Sequence, residues 1–266
     1  MKQQLRYWPN FFTKTVMVGL VAAVAAGAYA SGTTVLSTNS ISDAFVTPGS
    51  DGSLSTSNFG AAGALALSAP GLPQGEFQTV LQFQLSSITS SLNAIYGTGL
   101  WTVQSVSLQL TASPHNNAIF NNIAPGQFNV SLMQNNSWVE GTGTGGIPTS
   151  DGISFSTLQS TYINNATDQP LGVFSFTGGS SGTATYSLNL SSSLISDLMD
   201  GNDLSLRLFA ADDTVSYLFS SRSGGSISTR PTLVIDVVPE PSGLAICALA
   251  LAAFSIWRLG LALKKN

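Results

Sequence analysis

Groups able to move a proton or hold a metal near neutral pH are few in this chain. It has one histidine, His115, in the turn-like segment Thr111-Ala-Ser-Pro-His-Asn-Asn-Ala118, and one cysteine, Cys247, inside a C-terminal apolar run. General acid–base catalysis needs a positioned group of that kind. Serines and aspartates abound, so a Ser-His-Asp set is available by residue type, but a loop histidine in so Ser-rich a chain reads as an exposed bystander and no catalysis is expected. Two acidic pairs could each lend one or two oxygens to a hard cation that wants six to eight: Asp200 with Asp203 in Asp-Gly-Asn-Asp, and Asp212 with Asp213 in Ala-Asp-Asp-Thr. They lack the EF-hand order, and Asp and Asn favour turns for local hydrogen-bonding reasons alone. The expectation is therefore no cofactor, with a structural calcium at the edge of the fold as the one these aspartates would hold.

Sugar binding needs a flat aromatic face with polar neighbours. Outside the terminal segments the tryptophans are Trp101 and Trp138. Core packing is the preferred reading of both. Trp138 lies in Gln-Asn-Asn-Ser-Trp-Val-Glu, beside amides and Glu140, so these two are the candidate glycan contacts. Asn129, Asn135, Asn165 and Asn189 each begin an Asn-x-Ser/Thr triplet, a pattern that a chain so rich in these residues also produces by chance.

The chain of 266 residues is 43% hydrophobic and only 8% charged. Residues 31–238 hold Arg207, Arg222 and Arg230 and no lysine, against twelve acidic residues from Asp43 to Asp236, a formal charge of −9. Attachment to nucleic acid or anionic lipid by counterion release requires clustered Lys and Arg, so neither is an expected partner of this part. Without a thiol it also has no disulfide and no cysteine metal site.

Its dominant pattern is period-two alternation. Leu81, Phe83 and Leu85 share one face with Gln82 and Gln84 on the other, and the same holds for Val106/Leu108/Leu110, Phe128/Val130/Leu132 and Tyr186/Leu188/Leu190. Further cases are Leu204/Leu206/Leu208, Val215/Tyr217/Phe219 and Leu233/Ile235/Val237. Such segments, separated by turn residues, predict nine or ten half-buried antiparallel strands. Only Ser191–Gly201 reads as helical, with Leu194, Ile195 and Leu198 clustered. Trp101 and Val103 have one parity and Val106 to Leu110 the other, which predicts a bulge near Gln104-Ser105. The Gly-rich stretches 140–152 and 177–184 read as loops. The fold class expected is all-β, an antiparallel β-sandwich of jelly-roll type.

Both termini differ from this body. Lys2, Arg6 and Lys14 precede an apolar stretch from Val16 that ends in Ala28-Tyr29-Ala30, the order of a secretory signal peptide cleaved after Ala30. At the other end Pro239-Glu240-Pro241 precedes the apolar run Gly243–Trp257 of 15 residues, then Arg258, Lys264 and Lys265. If Arg258 snorkels, the run extends to Leu263 and can span a membrane as a helix with its tail inside the cell. The two prolines fix φ and remove two donors, so Pro239–Pro241 is expected neither to extend the last strand nor to enter the helix. The organisation read from the sequence is a signal helix over 1–30, an exported domain over 31–238 and a tail with a transmembrane helix over 239–266.

Two resemblances follow from these residues. Ser42-Asp-Ala-Phe-Val46, Asn58-Phe-Gly60, the segments 81–88 and 103–112, Asn129 to Gly145, and the closing Arg230-Pro-Thr-Leu-Val-Ile-Asp-Val resemble the exported β-sandwich family DNRLRE, related to a group of carbohydrate-binding modules. Phe45 and Phe59 stand where tyrosines are usual. That resemblance implies the sandwich, and a glycan such as an exopolysaccharide as ligand. The tail closely resembles the PEP-CTERM sorting signal, with Pro239, Glu240 and Pro241 matching its motif and Arg258, Lys264 and Lys265 its basic end. It implies an exported protein of a Gram-negative bacterium that uses the secretion machinery and is held briefly in the inner membrane. Exosortase would then cut it near Pro-Glu-Pro, leaving it at the cell surface or in the extracellular matrix. The rival expectations are a dedicated glycan-binding module and, behind it, a polysaccharide hydrolase or lyase.

Overall fold

The computed structural model describes residues 32–113, 120, 123–177, 181–240, 251 and 254. His115, residues 1–31 with Ala28 and Ala30, and Pro241, Arg258, Lys264 and Lys265 lie outside them.

Among the described residues eleven strands form antiparallel sheets: β1 Thr34–Asn39, β2 Ser42–Val46, β3 Ala64–Ser68, β4 Gln78–Phe83, β5 Trp101–Thr111, β6 Gly126–Met133, β7 Gln169–Phe176, β8 Thr183–Leu188, β9 Leu204–Ala210, β10 Ser216–Ser220 and β11 Thr232–Pro239. One sheet has the order β1-β11-β5-β8 and the other β2-β4-β9-β6-β7, while β10 and β3 form a two-stranded ribbon. The ribbon joins the first sheet where Ala112, just past β5, bridges Phe219. Between the two large sheets lies the main core, including Leu81, Phe83, Val106, Leu108, Phe128, Val130, Leu206, Leu233 and Ile235. This is the all-β sandwich that the alternation predicts, since period two sends every second side chain inward.

The bulge falls where the parity switch puts it. Ser105 pairs with Asp236 and Val103 with Val237, leaving Gln104 as the extra residue on β5. Trp101 and Val106 can then both be buried. Phe45 and Phe59 stack at 4.7 Å between centroids and, with Phe77, build a second aromatic cluster.

Three expectations are corrected. Leu85 does not continue β4, because α1 occupies Ser86–Tyr96 and buries Ile88 and Leu92. Its i, i+4 apolar spacing was masked by serines, which are poor formers of helix interiors. The helix near 191–201 is present as α2, Ser192–Asp200, capped by the Ser191 hydroxyl and ended by Gly201 at φ 72°. Thr183 and Ala184, expected in a loop, begin β8. The third concerns Pro239, which lies in β11 opposite Trp101, and the Glu240 amide donates to the Leu100 carbonyl at 3.0 Å. A proline at the last position of a strand removes one donor and leaves the rest of the ladder intact. The folded body therefore reaches Glu240. Among the described residues no helix is long and apolar enough to cross a membrane.

Candidate functional site

The chain between β6 and β7 leaves the sandwich and returns over the outer face of the five-stranded sheet. Trp138 anchors it, 4% exposed, among Ala44, Val46, Val80, Met133, Ile153 and Leu158. Its indole N–H donates to the Ser205 hydroxyl at 3.0 Å. The ring has no face open to a sugar, so Trp138 is not a glycan contact: it seals a third layer. Trp101 is equally buried and donates to Asn93 Oδ1 at 2.9 Å.

Next along this excursion is Glu140, expected beside Trp138 on a binding rim. It is instead half of an ion pair. The Arg222 Nε lies 2.9 and 3.0 Å from its two oxygens and Nη2 2.7 Å from Oε2, a bidentate geometry. Asp43, fully buried on β2, completes the cluster: its Oδ2 accepts from the Arg222 amide at 2.8 Å and the Ser40 hydroxyl at 3.0 Å. Its Oδ1 is buried with no partner. Burial pushes the Asp43 carboxyl up to about 6, with the Glu140 charge adding to the rise, against the two hydrogen bonds and the Arg222 charge.

Beside this cluster the Gly-rich loop closes on one side chain. Asn58 Nδ2 donates to the carbonyls of Glu140 at 2.6 Å and Ile153 at 2.8 Å, and Oδ1 accepts the amides of Gly60 and Gly143, each at 3.1 Å. A Cβ on Gly143 would come within 1.9 Å of the Asn58 carbonyl oxygen, and one on Gly141, at φ +77°, within 2.3 Å of Asn58 Oδ1. The glycines are there so that backbone can reach an amide. This arrangement fixes the loop and leaves no open polar atom on Asn58.

Further round the same excursion is an open groove of about 540 Å³. Gln134, Asn135, Asn136 and Ser137 form one wall and Thr161, Tyr162, Asn164 and Thr167 the other. Asp168 holds the walls together, accepting the amide of Gln134 on one oxygen and of Asn164 on the other, both at 3.0 Å. Asn136 donates to the Asp203 carbonyl at 2.7 Å, and its Oδ1 is buried without a partner. The lining is amides, hydroxyls and one phenol, with no charged side chain. Sequence reasoning missed it, because its walls are 24 or more residues apart and nothing local marks them as neighbours.

The aspartates considered for calcium lie on two separate turns. Asp200 ends α2 and accepts from the Ser196 hydroxyl, and Asp203 opens towards β9. Asp212 shapes the β9–β10 turn. Its Oδ1 accepts the amides of Thr214 at 3.0 Å and Val215 at 2.9 Å, and Oδ2 takes the Gln127 amide. Partial burial opposes ionisation there, but these amides outweigh it and hold the carboxyl below its usual range. Asp213 is exposed beside it. Among the described residues no three His, Cys, Asp or Glu side chains gather to hold a metal ion.

Compared with known proteins, the chain matches no family model and no curated sequence. The resemblances drawn from its motifs thus rest on those motifs alone.

Proposed function

We propose that this chain is an exported, non-enzymatic protein of the bacterial cell surface or extracellular matrix. Its C-terminal run holds it in the inner membrane until a sorting peptidase of the exosortase kind cuts near Pro239–Pro241. The observation that supports this reading is that the last described strand reaches the Pro-Glu-Pro motif. β11 lies between β1 and β5, and just past it the Glu240 amide bonds to the Leu100 carbonyl. Pro239 and Glu240 of the motif thus belong to the folded body, while Pro241, the apolar run and the basic end follow them, so a cut beyond Glu240 would leave the sandwich whole. A cut N-terminal to Pro239 would instead open the ladder against Trp101. The burial of Asp43 and the pairing of Glu140 with Arg222 support a structural role for the charged groups of the body.

The test is the mass of the protein from its native host, in membrane and medium, with the peptidase present and deleted. The expected species ends just beyond Glu240 and is found only when the peptidase is present. A full tail persisting in both strains would refute the sorting reading.

A second reading, a glycan-binding module, is favoured by the amide-lined groove. Hydroxyl-rich neutral sugars match such a lining better than anionic ones, given the charge of −9 on the body. Tyr162→Ala combined with Asn135→Ala would abolish retention on the host polysaccharide if the groove binds it, with thermal stability as the control for folding.

A further inference from the structure

Both ends of the folded body meet at one end of the sandwich. β1 and β11 are antiparallel, with Thr34, which follows the leader, opposite Val237 near the exit to the tail. The same end carries the turn Gly97–Leu100 and the last turn of α1. Leu100 accepts the Glu240 amide with its carbonyl while its side chain is 56% exposed, and Ile95 is 57% exposed. Tyr96 reaches Thr34 by a side-chain hydrogen bond. No Asp, Glu, Lys or Arg occurs between Glu76 and Glu140, so α1 and this turn carry no charged side chain, although the exposed Glu240 lies beside Leu100.

We propose that this end, with Ile95, Tyr96 and Leu100, is a membrane-contacting surface that rests in the headgroup layer of a bilayer. The inference rests on the reading of the tail as membrane-inserted, and the argument is the length of the tether. Only Pro241 and Ser242 separate Glu240 from Gly243, where the apolar run begins. Three extended residue steps reach at most about 10 Å. A bilayer's polar layers are each roughly 5–8 Å deep outside a hydrocarbon core of about 30 Å. Once the run enters the core, Leu100 cannot stand clear of the interface. Exposed Leu and Ile are favourable there and Tyr is suited to it, whereas charge would be costly. The absence of basic residues makes the contact independent of anionic lipid. Ile227 serves as the internal contrast: 64% exposed, it precedes β11 at the opposite end, about 25 Å away along eight strand residues.

The experiment uses the full chain with Cys247→Ser and a single cysteine introduced by Leu100→Cys or Ile227→Cys, each carrying an environment-sensitive fluorophore. Each is reconstituted into phosphatidylcholine vesicles with and without lipid bearing a headgroup-level quencher. Flotation with the vesicles reports tail insertion, and quenching reports the surface. The expected result is co-flotation of both proteins, with the Leu100 probe quenched several-fold more than the Ile227 probe. Co-flotation with equal quenching would overturn the surface while leaving the tail reading intact. Failure to float would overturn both. Ile95→Cys repeats the measurement from α1, so the result does not hang on one substitution.

Discussion

Strands β5 and β4 both carry apolar residues at every second position, yet they lie in different surroundings. On β5 the inner residues Trp101, Val103, Val106, Leu108 and Leu110 are buried, and the residues between them are exposed or half-exposed. On β4 all six residues are buried, Gln78, Thr79 and Gln82 included. Two neighbours account for the second case: the Trp138 excursion covers Val80 and Gln82 on the outer face, and Thr79, on the inner face with Leu81 and Phe83, donates its hydroxyl to the Ala66 carbonyl on β3 at 2.8 Å. Gln82 turns its amide to the Asn136 carbonyl at 2.8 Å, and Gln78 takes the Arg207 Nε at 2.7 Å. A polar residue can thus occupy an outward strand position for two reasons, to meet water or to be bonded by a covering layer. Only the second makes it costly to change.

That contrast can be broken most severely at its anchor. Trp138→Ala should destabilise the protein by about 3–5 kcal/mol by emptying the covering layer. Thr102→Ala, on the open face of β5, should change stability by no more than about 0.5 kcal/mol. Urea denaturation of the two variants reads both, and near-equal midpoints would show that the excursion adds little.

The next effect separates two glycines of one loop. Gly143→Ala forces a Cβ against the Asn58 carbonyl, which backbone cannot relieve cheaply, and should cost about 3 kcal/mol. Gly146, with nothing within 4 Å, should accept alanine almost without effect. Thermal melts of the pair would expose a loop looser than described if both are neutral.

A pH effect of up to about 3 kcal/mol should mark the covered side, at 1.36 kcal/mol per unit of pKa change. Burial raises the Asp43 carboxyl from 3.8 to about 6, so folding favours its protonated form. Its contribution is fully present below about pH 4 and is lost as pH rises through about 6. The stability of the wild type relative to Asp43→Asn, whose side-chain oxygen can still accept from Ser40 and Arg222, should fall across that window. A flat difference would mean that Asp43 is solvated.

Smallest is Arg222→Gln, which leaves Glu140 unpaired. The two side chains are 35% and 14% exposed, so water screens much of the charge and the cost should be about 1–2 kcal/mol, shrinking in high salt. A salt-independent loss would assign the effect to the Arg222 stem rather than the pair.

Legibility followed distance along the chain. The inner faces of β5, β6, β9 and β11 could be read from neighbouring residues, as could the bulge at Gln104, because pleat parity is local. α1 was hidden by its serines, although Ile88 and Leu92 carried its period. The Asn58 amide and the Gly143 amide it accepts are 85 residues apart, and Arg222 is 82 from Glu140. No local pattern couples such pairs. The glycines of 140–152 announced a loop, and not that the loop wraps an asparagine.

By itself the sequence determined an antiparallel all-β body without thiols, strongly acidic and poor in charge, with its inner faces assigned. It did so because burial acts on each strand through a two-residue period. Only the tertiary structure decided that Trp138 faces inward from a third layer and that Glu140 belongs to Arg222. It also decided that the last strand runs through Pro239, with Glu240 bonded just past it. Those outcomes depend on which segments the topology brings together, and burial and hydrogen-bond satisfaction can select among them only once the whole chain has closed.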